Sequence, residues 1–388
     1  MLHRLVKFLP THSFFLFGAR GTGKTYLLNH RLKSERTLHI NLLDPEEERR
    51  LALNPSSLLQ RVQSLDAKID CVFIDEVQKV PALLDVVHHC IEQQGLRFAL
   101  TGSSARKLKR GGANLLAGRA FTHHLYPLCA AELGSHFELD DVLRWGSLPR
   151  LLQLPSEEEK AAYLRSYTIT YLKEEIAMEQ IVRKLDPFQR FLPIAAQMSG
   201  EVINFSKIAR DVGVSVKTVQ GYFTILEDTL LGRFIQPFHE SVRKRQTGNP
   251  KFYLFDTGVR RALQRQLTLP LERRSYDYGQ AFEHFVINEI NRLQHYLNRD
   301  YELSFLRTHD NAEIDLIIER PGQARALIEI KSATHITRDD LRHLLRFGAD
   351  IAESECFCLS QDPHPKVIDG VHCLPWQQGL EALRLQPL

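Results

Sequence analysis

Long hydrophobic runs are missing from this sequence: none approaches the roughly 18 apolar residues that a membrane-spanning helix requires. The expectation is a chain with no membrane partner. Near its start, Phe14-Phe15-Leu16-Phe17 is too short for the apolar core of a secretory signal and runs straight into glycines. Cysteine is sparse, 6 in 388 residues, and too scattered for a disulfide framework. Cys356 and Cys358 form a close pair without a second ligand pair nearby, which argues against structural zinc. These absences point to a cytoplasmic protein. An excess of one charge is missing too: 50 basic against 47 acidic residues leave a net +3, silent about partners. Repeats and low-complexity tracts are also absent.

What is present is a soluble globular composition, 43% hydrophobic and 25% charged, long enough for two or three domains. Charge clusters locally. Arg106, Lys107, Lys109, Arg110 and Arg119 fall in an acid-free stretch, as do Arg243, Lys244, Arg245 and Lys251. Such runs are commonly solvated loops, and a phosphate-facing role needs a second signal.

The first strong motif is a strand of apolar residues ending at Phe17, then Gly18-Ala19-Arg20-Gly21-Thr22-Gly23-Lys24-Thr25 and an apolar helical stretch from Tyr26. This is G-x-x-x-x-G-K-T between a buried strand and a helix, the setting that gives the motif meaning. Glycines let backbone N–H groups turn inward on phosphates, and the helix N-terminus adds positive potential. Gly18 to Tyr26 is therefore the expected ATP-binding segment, with Lys24 reaching the β- and γ-phosphates and Thr25 holding Mg²⁺.

Downstream, Cys71-Val72-Phe73-Ile74 reads as a buried strand ending in Asp75-Glu76. Asp75 is assigned to the metal and Glu76 to the attacking water. A third strand ends in Thr101-Gly102-Ser103-Ser104, where either serine suits a γ-phosphate sensor. Arg119 and Arg106 are candidates for an arginine that completes a neighbouring subunit's site in a homo-oligomeric ring, a hexamer being one size. Strands alternating with helices give a parallel α/β sheet.

Glu157 to Lys184 reads as one long helix. Ser206 to Val212, closed by Gly213, and Val216 to Glu227, capped by Ser215, have the helix-turn-helix pattern. In a DNA-binding version Ser215, Lys217, Thr218 and Gln220 would face the groove. Arg243-Lys244-Arg245 lies where a wing would be, so DNA contacts are expected at Lys217, Arg243, Lys244 and Arg245.

In the last third, a helix opens at Tyr278 and carries Glu283, and two strands, 313–319 and 325–331, flank a turn at Pro321-Gly322. Asp315 and Glu329 are equidistant from Gly322, so symmetric closure sets them opposite each other, with Lys331 on the face of Glu329. Clustered carboxylates of this kind bind Mg²⁺ or Mn²⁺, and a lysine beside them can position a water. A further helix is expected from Ile336 to Phe347, capped at Thr337–Asp340, then a strand through Cys356 and Cys358.

Asp315 with Glu329-Ile330-Lys331 resembles the D…E-x-K signature of restriction-endonuclease-like nucleases, and Glu283 matches the additional helix acid those enzymes often carry. More broadly, the P-loop, Ile74–Gln78, Thr101–Ser104, Leu116–Arg119, Gly146–Pro149, Tyr171–Ile176, Phe255–Gly258 and Gly279–Glu283 resemble the AAA-type P-loop ATPases fused to a C-terminal domain of long-unknown function. The resemblance implies an α/β protein in three parts: a P-loop AAA-type ATPase core at 1–150, a linking helix and winged helix-turn-helix at 151–255, and an α/β restriction-endonuclease-like domain at 256–388.

The expected function is ATP hydrolysis coupled to metal-dependent cleavage of DNA, branched, broken or foreign. The expected catalytic residues are Lys24, Glu76, Ser103, Arg119, Glu283, Asp315, Glu329 and Lys331. Metal ligands are expected at Thr25, Asp75, Asp315 and Glu329. The alternative is a nucleotide-switched DNA- or protein-binding regulator whose nuclease-like domain is inactive. A chaperone-like ATPase acting on protein is a third, disfavoured reading.

Overall fold

The computed structural model describes residues 2–33, 36–64, 69–104, 108, 116–171, 185–239, 248–308, 310 and 312–387. The chain divides into two compact units. The first comprises Met1–Leu128, Leu148–Arg150 and Thr224–Leu231; the second comprises Cys129–Ser147, Leu151–Phe223 and Gly232–Leu388.

In the first unit, β1 (Ser13–Phe17), β2 (Thr37–Asn41), β3 (Cys71–Asp75), β4 (Arg97–Gly102) and β5 (Ala120–His124) form a parallel sheet in the order β2-β3-β4-β1-β5. Every residue of β1 and β3 is buried, as continuous apolar runs in a helix-covered parallel sheet should be. Phe15, Phe17, Ile74 and Leu100 build the core with Leu84 and Val87 of the helix Leu83–Gln94. The strand order has a functional consequence. Because β4 separates β1 from β3, its end at Gly102 stands between the glycine loop and Asp75-Glu76. Ligands in open α/β sheets gather at such strand ends.

The second unit holds a mixed eight-stranded sheet. Its strands are β6 (Gly232–Pro237), β7 (Lys251–Leu254), β8 (Glu302–Arg307), β9 (Glu313–Glu319), β10 (Arg325–Lys331), β11 (Ser354–Ser360), β12 (Lys366–Ile368) and β13 (Val371–Pro375). They lie in the order β12-β13-β11-β10-β9-β8-β6-β7. β6 and β7, placed by the sequence in the middle segment, are thus hydrogen-bonded into the same sheet as the β9–β10 hairpin. The hairpin turns at Gly322, whose φ of 72° is the left-handed region that glycine favours. Its ladder pairs Ala326 with Ile318, Leu327 with Ile317 and Ile328 with Leu316. One further step sets Glu329 across from Asp315, the register expected from symmetric closure. Ile314, Leu327, Leu344, Phe347 and Cys358 pack between the sheet and the helix Arg342–Asp350.

Several local expectations change. The helix expected over Glu157–Lys184 is α-helical over Glu157–Ser166, then widens into a π-type turn at Tyr167–Tyr171; 172–184 lie outside the described residues. The helix Phe205–Val212 is capped by Asn204, not Ser206, because the Asn204 side chain reaches the Lys207 N–H at 2.9 Å. Ser215 does cap the following helix Val216–Asp228, accepting from Thr218 N–H at 3.1 Å. Thr337 and Asp340 bond at 2.7 Å as a capping turn should, but a short 3₁₀ turn at Asp339–Leu341 delays the α-helix to Arg342. All six cysteines are free thiols.

Candidate functional site

The glycine loop joins β1 to the helix Lys24–Arg31. Gly23 has φ 93°, which turns the chain into the helix, and a Cβ on Gly18 would stand 2.4 Å from the Leu125 carbonyl oxygen. Both positions therefore require glycine. Arg4, which the sequence reading did not single out, braces the loop by donating to Thr22 O at 2.9 Å and Tyr126 O at 2.6 Å. Lys24 is buried, with Nζ donating to Gly18 O at 2.7 Å. A phosphate oxygen is a better acceptor for an ammonium than a neutral carbonyl, so this contact is exchangeable. Tyr26 stands 58% exposed at the helix start, open to stacking.

Across from the loop, Thr25 Oγ1 donates to Asp75 at 2.9 Å. Asp75 is fully buried and also accepts from Thr101 Oγ1. A hydroxyl and a carboxylate in contact below a phosphate loop are the oxygen donors that Mg²⁺ prefers, so the residues fit that ion. Glu76 follows in the left-handed conformation, φ 60°, with its N–H donating to Thr101 Oγ1 at 3.0 Å. Its carboxylate accepts from Gln78 Nε2, and the same nitrogen donates to Ser103 Oγ at 3.1 Å. Gln78 thus ties the water-activating candidate to one of the two serines. Ser104 is fully buried. Arg119 pairs with Glu92 and donates to Ala117 O at 3.1 Å; Arg106 lies outside the described residues.

In the second unit, Asp315 accepts from the Ile330 N–H at 2.7 Å, and Lys331 Nζ pairs with Glu329 at 2.5 Å. The Asp315 carboxyl is pushed well above the usual range by desolvation first, then by the carboxylates of Glu329 and Glu283. Desolvation raises Glu329 too, against the pull of Lys331. Glu283 projects from the helix Tyr276–Tyr296 and accepts from Tyr253 Oη at 2.7 Å. The hairpin and helix therefore bring all four expected residues to one neighbourhood.

The neighbourhood holds a cation that the sequence reading missed. Lys251, counted there in a solvated basic run, is buried on β7, where it pairs with Glu313 and lies 3.6 Å from Glu283. Burial works against its charge, but Glu283, Glu313 and Asp315 outweigh it and hold the ammonium above lysine's ordinary value. All four residues of β7 are buried, so no polar–apolar alternation in the sequence marks Lys251 as inward-facing. Among the described residues, no group of three or more His, Cys, Asp or Glu is arranged to hold a metal ion.

Two motifs behind the family resemblance prove to be a structural joint. Asp256, fully buried, accepts from Ser147 N–H at 2.8 Å and Val259 N–H at 3.0 Å. A Cβ on Gly258 would stand 1.8 Å from Trp145 O, and one on Gly146 would stand 2.1 Å from Asp256. Arg292 closes the joint, donating to Ser147 Oγ at 3.1 Å and Phe255 O at 2.8 Å. Of the DNA-contact candidates, Lys217 is exposed on the helix Val216–Asp228, while Arg243, Lys244 and Arg245 lie outside the described residues. No helix among the described residues is long and apolar enough to cross a membrane.

Residues 11–134 match the AAA domain family, 136–270 a domain of unknown function (DUF8612) and 278–378 another (DUF4143). An uncharacterized protein of Mycobacterium tuberculosis, Rv2008c, is 29% identical over 311 residues, 79% of this chain and 68% of that protein. An uncharacterized protein of Methanocaldococcus jannaschii, MJ1544, is 22% identical over 375 residues, 86% of this chain and 80% of that protein. Among solved structures, the Aeropyrum pernix ORC1 protein in complex with DNA aligns at 16% identity over 66% of this chain and 86% of that one, with a TM-score of 0.27. The chain thus carries an AAA-type P-loop domain followed by two regions whose matches bring no activity with them.

Proposed function

We propose that this protein hydrolyses ATP in its first unit and uses that cycle to govern metal-dependent phosphodiester cleavage of DNA in its second. The contact between Thr25 and Asp75, beneath a loop that buries Lys24, carries the ATPase reading. Lys24 exchanges Gly18 O for the β- and γ-phosphate oxygens. Thr25 and Asp75 would hold Mg²⁺, which supplies charge neutralisation between those phosphates. Glu76 orients the attacking water and takes its proton, while Ser103 donates to the γ-phosphate. Arg119, released from Glu92, completes the site of a neighbouring copy in a homo-oligomeric ring.

For the second unit, support comes from Asp315, Glu329 and Lys331 on adjacent strands beside Glu283. The two strand acids would hold Mg²⁺ or Mn²⁺, which polarises the scissile phosphate. Lys331 positions the water. Lys217 with Arg243, Lys244 and Arg245 would contact DNA phosphates and supply affinity without sequence preference. On this reading the divisions near 150 and 255 mark the ATPase, winged-helix and nuclease-like parts.

One observation favours a second reading. Lys251 already balances the acids of the cluster, which suits an inactive domain within a nucleotide-switched regulator of DNA or protein. Cleavage of single-stranded, duplex and branched DNA with Mg²⁺ or Mn²⁺, with and without ATP, separates the two. Metal-dependent cutting lost in Asp315→Ala supports the nuclease; ATP turnover and DNA binding without cutting support the regulator.

A further inference from the structure

The Gln78 side chain lies between two residues that the hydrolytic reading gives separate tasks. Its Nε2 donates both to Glu76 Oε2 and to Ser103 Oγ, the latter at 3.1 Å. An amide nitrogen carries two hydrogens, so both are used. The orientation is fixed by chemistry, because the Glu76 carboxylate can only accept. The Gln78 oxygen, by contrast, is buried with no hydrogen-bond partner, and it faces Gly102, where a Cβ would stand 2.7 Å away. A buried acceptor without a partner is costly, so the two donated bonds hold the amide in place. Gly102 leaves the room it needs.

We propose that Gln78 is a positioning residue that couples occupancy at Ser103 to the alignment of Glu76. The inference rests on the reading of the first unit as an ATP-hydrolysing site. Ser103, having accepted from Gln78, keeps its own proton to donate to a γ-phosphate. That donation makes Ser103 Oγ a better acceptor and tightens the amide's grip on it. The Glu76 backbone has little freedom to respond, since its N–H is held by Thr101 at 3.0 Å and its φ is 60°. The side chain of Glu76 is what remains adjustable, and Gln78 holds it. A nucleoside diphosphate, lacking the γ-phosphate, does not engage Ser103 and leaves Glu76 unaligned.

The test is a double-mutant cycle on the full chain. Steady-state ATP turnover with Mg²⁺ is measured for wild type, Gln78→Leu, Ser103→Ala and the double variant, with Lys24→Ala as the inactive control. Binding of a fluorescent ATP analogue checks that each variant keeps its fold. Gln78→Leu should lower kcat about tenfold or more and leave KM for ATP within about twofold. The double variant should be no slower than the slower single, because both changes cut the same connection. Gly102→Ala, which removes no donor but crowds the amide oxygen, should lower kcat in the same direction. Unchanged kcat in Gln78→Leu, or losses that multiply independently, would overturn the coupling while leaving hydrolysis standing. Wild-type turnover no greater than that of Lys24→Ala would overturn the hydrolytic reading, and the coupling with it.

Discussion

Thr25 and Asp75, 50 residues apart in the chain, meet through a 2.9 Å hydrogen bond from the threonine hydroxyl to the carboxylate. The bond joins the first turn of a helix to the end of a strand two places away in the sheet. Thr25→Ala keeps the helix but removes the hydroxyl. Affinity for Mg²⁺-ATP should fall about tenfold, a typical value for one hydrogen bond to a charged group, while metal-free binding changes little. Titration calorimetry with and without Mg²⁺ reads the difference.

The joint at Gly258 predicts a stability effect without a chemical one. Gly258→Ala would drive a methyl group against Trp145 O, at 1.8 Å in the unrelaxed structure. The backbone must shift, and a loss of about 1–3 kcal/mol or more is expected from overpacking. Urea unfolding of the full chain checks it. Affinity of the first unit for ATP should stay within about twofold in protein that remains folded.

Lys251 is 3% exposed at its side chain and faces Glu313 and Glu283. Lys251→Met leaves those acids without their cation and should cost about 3 kcal/mol. On the metal-binding reading, Mn²⁺ should then raise the melting temperature of Lys251→Met more than that of wild type, since it enters a cluster relieved of its ammonium. Equal shifts in both proteins would count against a cation place there.

Glu289 is buried, and desolvation pushes its pKa up to about 7, partly against the pull of Arg292 and the Ala130 N–H. Between its ordinary value of 4.5 and about 7, the unfolded chain releases this proton while the folded chain keeps it. The folded state then binds more protons, so stability falls as pH rises through that window. The penalty, about 3 kcal/mol, is absent below the window and complete above it. Glu289→Gln should abolish this part of the slope, which unfolding at pH 5 and pH 8 would reveal.

For the proposed DNA contact, Lys217→Ala should weaken binding equally across sequences. It should also reduce the dependence of log K on log salt by about one. Fluorescence anisotropy at several salt concentrations reads both effects.

Much of this protein was legible along the chain because the determining interactions are local. The glycine loop between β1 and its helix follows from short-range rules: glycine where φ is positive, a lysine and a threonine at the helix start. The β9–β10 hairpin followed from the place of Gly322, since strand periodicity then decides which residues face each other. Short-range capping was harder, as Asn204 displacing Ser206 shows, because several polar side chains compete for one N–H group. What no local pattern could supply was which distant elements become neighbours. β4 entering between β1 and β3 is what brings Ser103 to Gln78 and Glu76, and a sheet that gathers β7 beside β6 is what turns Lys251 from a loop cation into a buried partner of acids. Asp256 and Gly146 likewise meet only once the second unit folds. The sequence alone determined the chemistry available at each position; burial and long-range pairing decided which of those groups act together, because only a packed interior removes water and forces charges and donors to find one another.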